Sequence, residues 1–373
     1  MRTRITPFAL ASLALGAGLT AVAPALGAQG ASDGTVIAAP QFVSYKFGTG
    51  PSAKTVTELG IPFAVILPFG QRFAVDVSAS YANVRTSTPA GTTSTINGLT
   101  DTQVRGNLTF GDNLGVITLG VNLPTGQYTV PAGQQEAAGQ IGNDFLVYPV
   151  SSMGNGLAAT GGIAIATPIG AWNLGVGGSF RHSQVFDAYQ VQSGVLRFQP
   201  GDEIRARIGL DRPVGDGRFA IGATYSKFGN DAANDTSFGT GDRALAQASL
   251  SLPMGNGDFQ LSGWNLYRAE GELIKGLVGG SKSPWENVAN ASVAVGFNAG
   301  GLYIQPNIEA RLWQVDGYHS GTLGTAGVRL RFNMGPFSVN PSAGYTMGKL
   351  YSQNSGPTTD ITGFKGTLLV RLH

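Results

Sequence analysis

The chain has 373 residues, a formal net charge of +2 and no cysteine. Charged residues make up 12%, about half the ~25% of a soluble globular domain, while the 56 glycines are roughly twice the usual ~7% share. Disulfides and thiolate metal sites are excluded, and so slight a charge, without any basic run, gives no ground for a nucleic-acid partner.

The first 28 residues read as a cleaved signal peptide. Arg2 and Arg4 supply a positive start, Phe8 to Val22 an apolar run, and Ala23 to Ala28 small residues for cleavage. The run is short for a membrane span of ~20 residues. About 345 residues remain as one domain, 29–373. No later stretch approaches 18 consecutive apolar residues, so helical spans are excluded. An exported, weakly charged, glycine-rich chain of this kind fits a transmembrane antiparallel β-barrel, whose segments are apolar on one face only.

The stretch from Thr102 to Gly126 shows the unit. Val104, Gly106, Leu108 and Phe110 alternate with Gln103, Arg105, Asn107 and Thr109. After Gly111-Asp112-Asn113, residues Ile117, Leu119, Val121 and Leu123 alternate with Thr118, Gly120 and Asn122. Two strands with one apolar and one polar face, joined by a tight reversal, account for this pattern. Further reversals of Gly with Pro, Asn or Asp stand at 68–71, 168–171, 214–217, 254–258, 298–301 and 333–336. Between them lie stretches rich in Ser, Thr, Gly and Asn, at 85–99, 125–142, 185–201, 229–241 and 270–284. Short turns on one rim and long loops on the other are the bacterial barrel plan, with the turns in the periplasm.

Counting arms predicts sixteen strands of about ten to fourteen residues, centred on Val43, Phe63, Val77, Gly106, Leu119, Ile163, Val176, Arg207, Gly222, Ala246, Leu261, Ala291, Ile308, Val328, Ser342 and Leu368. Fourteen is the alternative, if the first strand or a weaker arm is loop. Both termini then fall on the short-turn side. Strands leaving the short turns carry aromatic pairs of even spacing: Phe73 and Tyr81, Trp172 and Phe180, Phe259 and Tyr267, Phe337 and Tyr345. Even spacing keeps both members on one face, about 20 Å apart along a tilted barrel, close to the separation of the two aromatic girdles.

The polar alternates are then expected to line the lumen. The basic ones are Arg105, Arg205, Arg207, Arg311, Arg329, Arg331, Lys365 and Arg371, and the acidic ones Asp76, Glu203, Asp211 and Glu309. An Arg at mid-membrane on the lipid side costs about 2–4 kcal/mol, which forces these groups inward. They either bias the pore toward anions or pair across strands and stiffen the wall. One long loop, Gln134–Tyr148, mixes Glu136 with Ile141, Phe145, Leu146 and Tyr148; it is the candidate for folding over the pore, the alternative being an external flap.

Catalytic and metal chemistry find little support, and no cofactor is expected. His182 adjoins Ser183, but strand neighbours point to opposite faces and cannot form a nucleophile–base pair. Gly279-Gly280-Ser281-Lys282-Ser283 lacks the spacing of a phosphate loop. Asn230, Asp231, Asn234, Asp235 and Asp242 lack EF-hand spacing and suit a solvated loop better than calcium.

At Gly98, Leu99, Asp101, Gly120, Val121, Leu123, Pro124, Thr125 and Gly126, a Gly-Leu-x-Asp entry, a hairpin and a Gly-Val-x-Leu-Pro-Thr-Gly exit, the chain resembles a known family. These are the outer-membrane β-barrel proteins of the phenol meta-cleavage pathway family, related to the long-chain fatty-acid transporter class. The strict match covers about thirty residues. The resemblance implies a barrel that passes hydrophobic or aromatic small molecules across the outer membrane of a Gram-negative cell. Two departures stand out: too few residues precede the first strand to form the N-terminal hatch of the fatty-acid transporters, and the chain ends in His373 where many such barrels end in Phe. The expectation is therefore a non-enzymatic passive channel that leans toward an open pore. The alternatives are a hydrophilic porin of mild anion preference and a structural barrel that transports nothing. The expected partners are outer-membrane lipid and a small solute, with homo-oligomer formation left open.

Overall fold

The computed structural model describes residues 34–372, apart from 113, 192–193, 235, 273–281 and 353–356. The expected signal peptide lies outside the described residues. The described chain forms a closed antiparallel barrel of sixteen strands. In chain order they are β1 (Thr35–Ala38 continued by Gln41–Phe47), β2 (Lys54–Phe69), β3 (Phe73–Ser87) and β4 (Thr93–Leu99 continued by Thr102–Phe110). Then come β5 (Gly115–Leu123), β6 (Ala158–Ile169), β7 (Trp172–Ser183), β8 (Glu203–Val214), β9 (Gly217–Phe228) and β10 (Arg243–Met254). The last six are β11 (Gly257–Arg268), β12 (Glu286–Ala299), β13 (Leu302–Val315), β14 (Tyr318–Met334), β15 (Phe337–Leu350) and β16 (Thr359–Leu372).

Each strand pairs with its sequence neighbours, and β16 closes on β1 through Val36 opposite Leu372 and Val43 opposite Lys365. Closure removes every sheet edge, the condition for a β-structure to cross hydrocarbon. All sixteen expected centres fall inside these strands, all seven expected short turns join them on one rim, and both ends of the described chain lie on that rim.

Two strands are broken. Pro40 interrupts β1, since it has no N–H to give the ladder, yet Leu368 N still donates to its carbonyl (2.9 Å). In β4 the register against β3 shifts by one across residues 100–101. The partner of Ser78 on β3 is Gln103, whereas Ala82 meets Gly98. One extra residue in one strand is a β-bulge, and it re-aims side chains: the inward set is Ser94 and Ile96 above the bulge and Gln103, Arg105 and Asn107 below it.

Three expectations change. Residues 85–99 are not a long loop: β3 runs to Ser87 and β4 begins at Thr93, because the Thr/Ser/Ile alternation there is itself strand pattern. Residues 316–317 make a tight turn on the long-loop rim, with positive φ at Asp316 (49°) and Gly317 (80°), the dihedrals of a type I′ hairpin. Strand lengths spread from nine residues in β5 to seventeen in β14, since paired strands extend as far as their ladders continue.

The apolar alternates form the outer surface. Leu119, Ile163, Ile204, Ile208, Ile308 and Leu368 are all exposed. Of the girdle candidates, Phe73, Phe180, Tyr267, Phe337 and Tyr345 are exposed, while Tyr81, Trp172 and Phe259 are half-buried. Register propagated from strand to strand puts all eight on the same face. Trp172 packs edge-on against Phe219 (6.2 Å), with the Arg212 guanidinium over its ring (5.1 Å).

Candidate functional site

The other face belongs to the lumen, and the β5–β6 connection shows it. From residue 124 to 157 the chain leaves the wall, makes a short helical turn (Ala132–Gln134, then Gln135–Ala138), and returns. Phe145 packs face to face on Trp313 of β13 (5.4 Å), and Tyr148 sits edge-on to Tyr45 of β1 (5.8 Å). With Leu146 they complete a buried cluster containing Val43, Val56, Val288, Leu323 and Ile361. In a sixteen-strand ring β13 lies diametrically opposite β5. A segment rooted at β5 that touches β2 and β13 on the same register face can do so only through the interior.

Polar anchors fix the crossing. Tyr45 Oη donates to the Leu146 carbonyl (3.1 Å), and Val150 N donates to Glu58 Oε1 (2.7 Å) on β2. The Arg311 guanidinium donates to the Phe145 carbonyl, and Arg268 on β11 is ion-paired with Asp144. Lys54 pairs with Glu136 (3.1 Å), and Ser94 Oγ donates to the Gly133 carbonyl (2.9 Å). Ile141 packs against a second buried cluster that includes Val84, Ile96, Ala137 and Val150. Burial pushes the Tyr148 hydroxyl above its ordinary range, so it stays protonated. Gly321 on β14 makes room for the Phe145 ring, which would lie 2.7 Å from a Cβ there.

The root of the segment is held by Asp101, the acid of the Gly-Leu-x-Asp entry. Its carboxylate accepts from Gly126 N (3.1 Å), Asn155 N (2.6 Å) and Asn122 Nδ2 (2.9 Å), one residue from each end of the crossing and one from β5. Thr125 Oγ1 accepts from Thr102 N (2.9 Å). A Cβ at Gly126 would collide with the Met153 carbonyl. The sequence motif that carries the family resemblance thus maps onto the clasp of the lumen-crossing segment.

Every acidic residue expected on the inner face pairs with a base. Asp76 meets Arg105 (3.0 Å), Glu203 meets Arg205 (2.6 Å) and Asp211 meets Arg218 (2.8 Å). Glu309 gathers Arg311, Lys365 (2.9 Å) and Asn290 (2.8 Å), joining β12, β13 and β16. Arg329 donates to Gln305 (3.4 Å); Arg331 donates to Asn340 (3.2 Å) and lies over the Tyr303 ring (4.8 Å). Arg371 faces the same side, opposite Ile37 and Ser338, and Arg207 faces it opposite Gly177.

Among the described residues, sequence reading missed several inward groups, Arg218 and Asp101 among them. Arg181 and Arg243 sit among alternating residues whose phase, set by Phe180 and Ala244, already assigns them inward. Arg268 adjoins the girdle residue Tyr267 and follows by the same phase. Glu58 stands at the head of a nearly continuous apolar run, 59–69, where alternation gives no phase.

His182 and Ser183 do lie on opposite faces of β7; His182 Nδ1 instead meets Asp202 (2.7 Å), while Ser183 is buried inward. Asp231 accepts from Gly201 N (2.6 Å) and Thr240, and Asp242 from Phe228 N (3.1 Å) and Tyr225. Among the described residues no cluster suits a metal ion; Asp235 and Gly279–Ser281 lie outside them.

No protein-family model matches the sequence, and the comparison with curated proteins finds none that is similar. Solved structures do match. CdiB from Acinetobacter baumannii is 11% identical with a TM-score of 0.48, over 90% of this chain and 60% of that one. The chain thus spans less than two thirds of CdiB. OccK7 of Pseudomonas aeruginosa is 11% identical with a TM-score of 0.44, over 91% and 99% of the two chains. OprB of Pseudomonas putida is 9% identical with a TM-score of 0.44, over 90% and 92%.

Proposed function

We propose that this protein is an outer-membrane channel through which small solutes pass along one side of a partly occluded lumen. An apolar outer face and a polar inner face around a closed barrel support membrane insertion. The observation that carries the reading is where the crossing segment is tied down. On the barrel wall its anchors described above lie on β1–β5 and β11–β16; beside the wall of β7–β10 it is tied only above the rim, where Thr129, Val130 and Gln135 bond to residues 187–190 of the β7–β8 connection. The opposing inner face of β7–β10 carries small residues and arginines, with Glu203 and Asp211 ion-paired among them. Gly175, Gly209 and Gly222 pair side by side across β7, β8 and β9, which thins the wall and widens the passage beside it. Arg181, Arg205, Arg207 and Arg243 stand on that same wall, so the passage favours anions by the logic of charged constrictions.

Cargo of hydrophobic or aromatic character is what the family resemblance implies, and the charged wall adds a preference for a negative head group. The N-terminal hatch expected to be missing has a functional counterpart in the β5–β6 segment, so an unobstructed pore is not part of the proposal. Purified protein in planar bilayers tests it. Discrete conductance steps are expected, with a reversal potential in a KCl gradient on the anion-selective side; a silent bilayer containing correctly folded protein would sink the channel.

A further inference from the structure

The connections β7–β8 and β9–β10 build a second, smaller sheet above this same wall. Its strands are Phe186–Val191, Gly194–Gln199, Asn230–Ala233 and Thr236–Gly239. Phe186 is opposite Phe198, Phe198 is opposite Ala233, and Phe238 is opposite Asp231, two positions along from Ala233. Residues two apart in a strand share a face, so the three phenylalanines form one row. Tyr128, from the root of the lumen-crossing segment, extends it. Ring centroids follow one another at 6.1 Å (Tyr128–Phe186), 5.9 Å (Phe186–Phe198) and 6.2 Å (Phe198–Phe238).

The row turns toward the mouth of the barrel. On the reverse face of the small sheet Asp187, Gln190, Val195 and Arg197 are exposed to solvent. On the row's own side Phe186 packs over Gly156 and Tyr128 over Gly154, where a Cβ would meet the neighbouring side chain at 3.0 and 3.1 Å. The four rings nevertheless remain only half-buried, while Ala188 and Ala233 beside them are buried. A row laid down merely to fill a small core would be covered; this one keeps ring surface open along its length.

Directly beneath stand the arginines. Gln199 of the small sheet donates to the Ser183 carbonyl (3.0 Å) at the top of β7. Two residues below Ser183, Arg181 faces inward opposite Glu203. Arg205 and Arg207 continue down β8, and Arg205 Nε also reaches Ser226 (3.2 Å), the register partner of Arg243. Glu203 pairs with Arg205 and Asp101 lies near Arg181, so Arg181, Arg205 and Arg207 outnumber these two carboxylates. Guanidinium groups bind carboxylates through paired, planar hydrogen bonds, and aromatic rings bind other rings by offset or edge-on contact.

We propose that this vestibule is a binding site for small aromatic carboxylates, the ring held along the Tyr128–Phe186–Phe198–Phe238 row and the carboxylate handed down to Arg181, Arg205 and Arg207. The inference rests on the channel reading and names its substrate class. Neither half suffices alone: the row does not distinguish a neutral ring from a charged one, and the arginines do not distinguish benzoate from acetate.

Benzoate, acetate and benzyl alcohol added to the long-loop side of the protein in a KCl-bathed bilayer test both halves. Benzoate is expected to interrupt the current at a concentration at least about tenfold below that of acetate, the order of one ring contact, with benzyl alcohol ineffective. Phe198→Leu with Phe238→Leu keeps an apolar filling but removes the rings, and should bring benzoate to within about threefold of acetate. Arg205→Gln with Arg207→Gln should abolish the benzoate effect. If the double leucine variant does not fold, Tyr128→Leu at the edge of the row serves in its place. Equal potency of benzoate and acetate, or benzoate block untouched by ring removal in folded protein, overturns the proposal. Should the bilayer stay silent, the channel reading falls by itself; calorimetric titration of benzoate into the detergent-solubilised barrel, with the same variants, then decides the site.

Discussion

Asp101 is a residue whose weight comes from what it holds. Its carboxylate satisfies two backbone N–H groups from opposite ends of the lumen-crossing segment, and hydrogen bonds to a charged group contribute about 1.5–3 kcal/mol each. Asp101→Ala is expected to free the root of the segment while the barrel persists. Limited proteolysis should then cut between 124 and 157, with the heat-modifiable migration of the barrel on gels unchanged; equal protease resistance would mean that other anchors suffice. Gly321 acts in the opposite sense, by having no side chain. Gly321→Val places carbon where the Phe145 ring lies, and overpacking of that kind costs about 1–3 kcal/mol. Single-channel conductance should rise as the ring is displaced from Trp313, and unaltered conductance would show that the aromatic contact does not restrict the passage.

Among the elements, the strands form the closed wall and the β5–β6 segment crosses its interior. Ile208 on β8 is exposed on the outer face, while its neighbour Arg207 faces inward. Ile208→Arg should therefore cost about 2–4 kcal/mol of barrel stability in lipid, measured by urea titration in vesicles. Ser249→Arg, on the inner face of β10, should cost far less, and equal losses would contradict the assignment of faces. The bulge in β4 is the other decisive element. By shifting phase at 100–101 it brings Asp101 onto the inner side, beside the root of the segment it clasps.

At the level of the whole molecule, charge is unevenly placed around the ring. On β13 and β16 the bases Arg311 and Lys365 converge on Glu309, and Arg311 helps hold the crossing segment; on β7, β8 and β10 stand Arg181, Arg205, Arg207 and Arg243. Arg205→Glu with Arg207→Glu should move the reversal potential toward cation selectivity by more than Arg329→Glu with Arg331→Glu, whose partners are Gln305, Asn340 and the Tyr303 ring. A larger shift from the second pair would place the restriction at the short-turn rim instead.

The sequence by itself determined the strands, their number, the short-turn rim and the division into two faces. Each of these rests on a period of two and on turn residues, which are local properties. The inward phase of Arg205, Arg207, Glu309 and Arg311 was legible for the same reason, and Arg181, Arg243 and Arg268 were legible in principle once a neighbouring aromatic or alanine had set the phase. Only the tertiary structure decided what fills the lumen. The stacking of Phe145 on Trp313 reaches the wall opposite the root of its segment, and the bond from Val150 N to Glu58 likewise joins residues far apart in the chain through the interior of a closed ring. No local pattern encodes such a contact, because it exists only after sixteen strands have closed and fixed which wall stands opposite which.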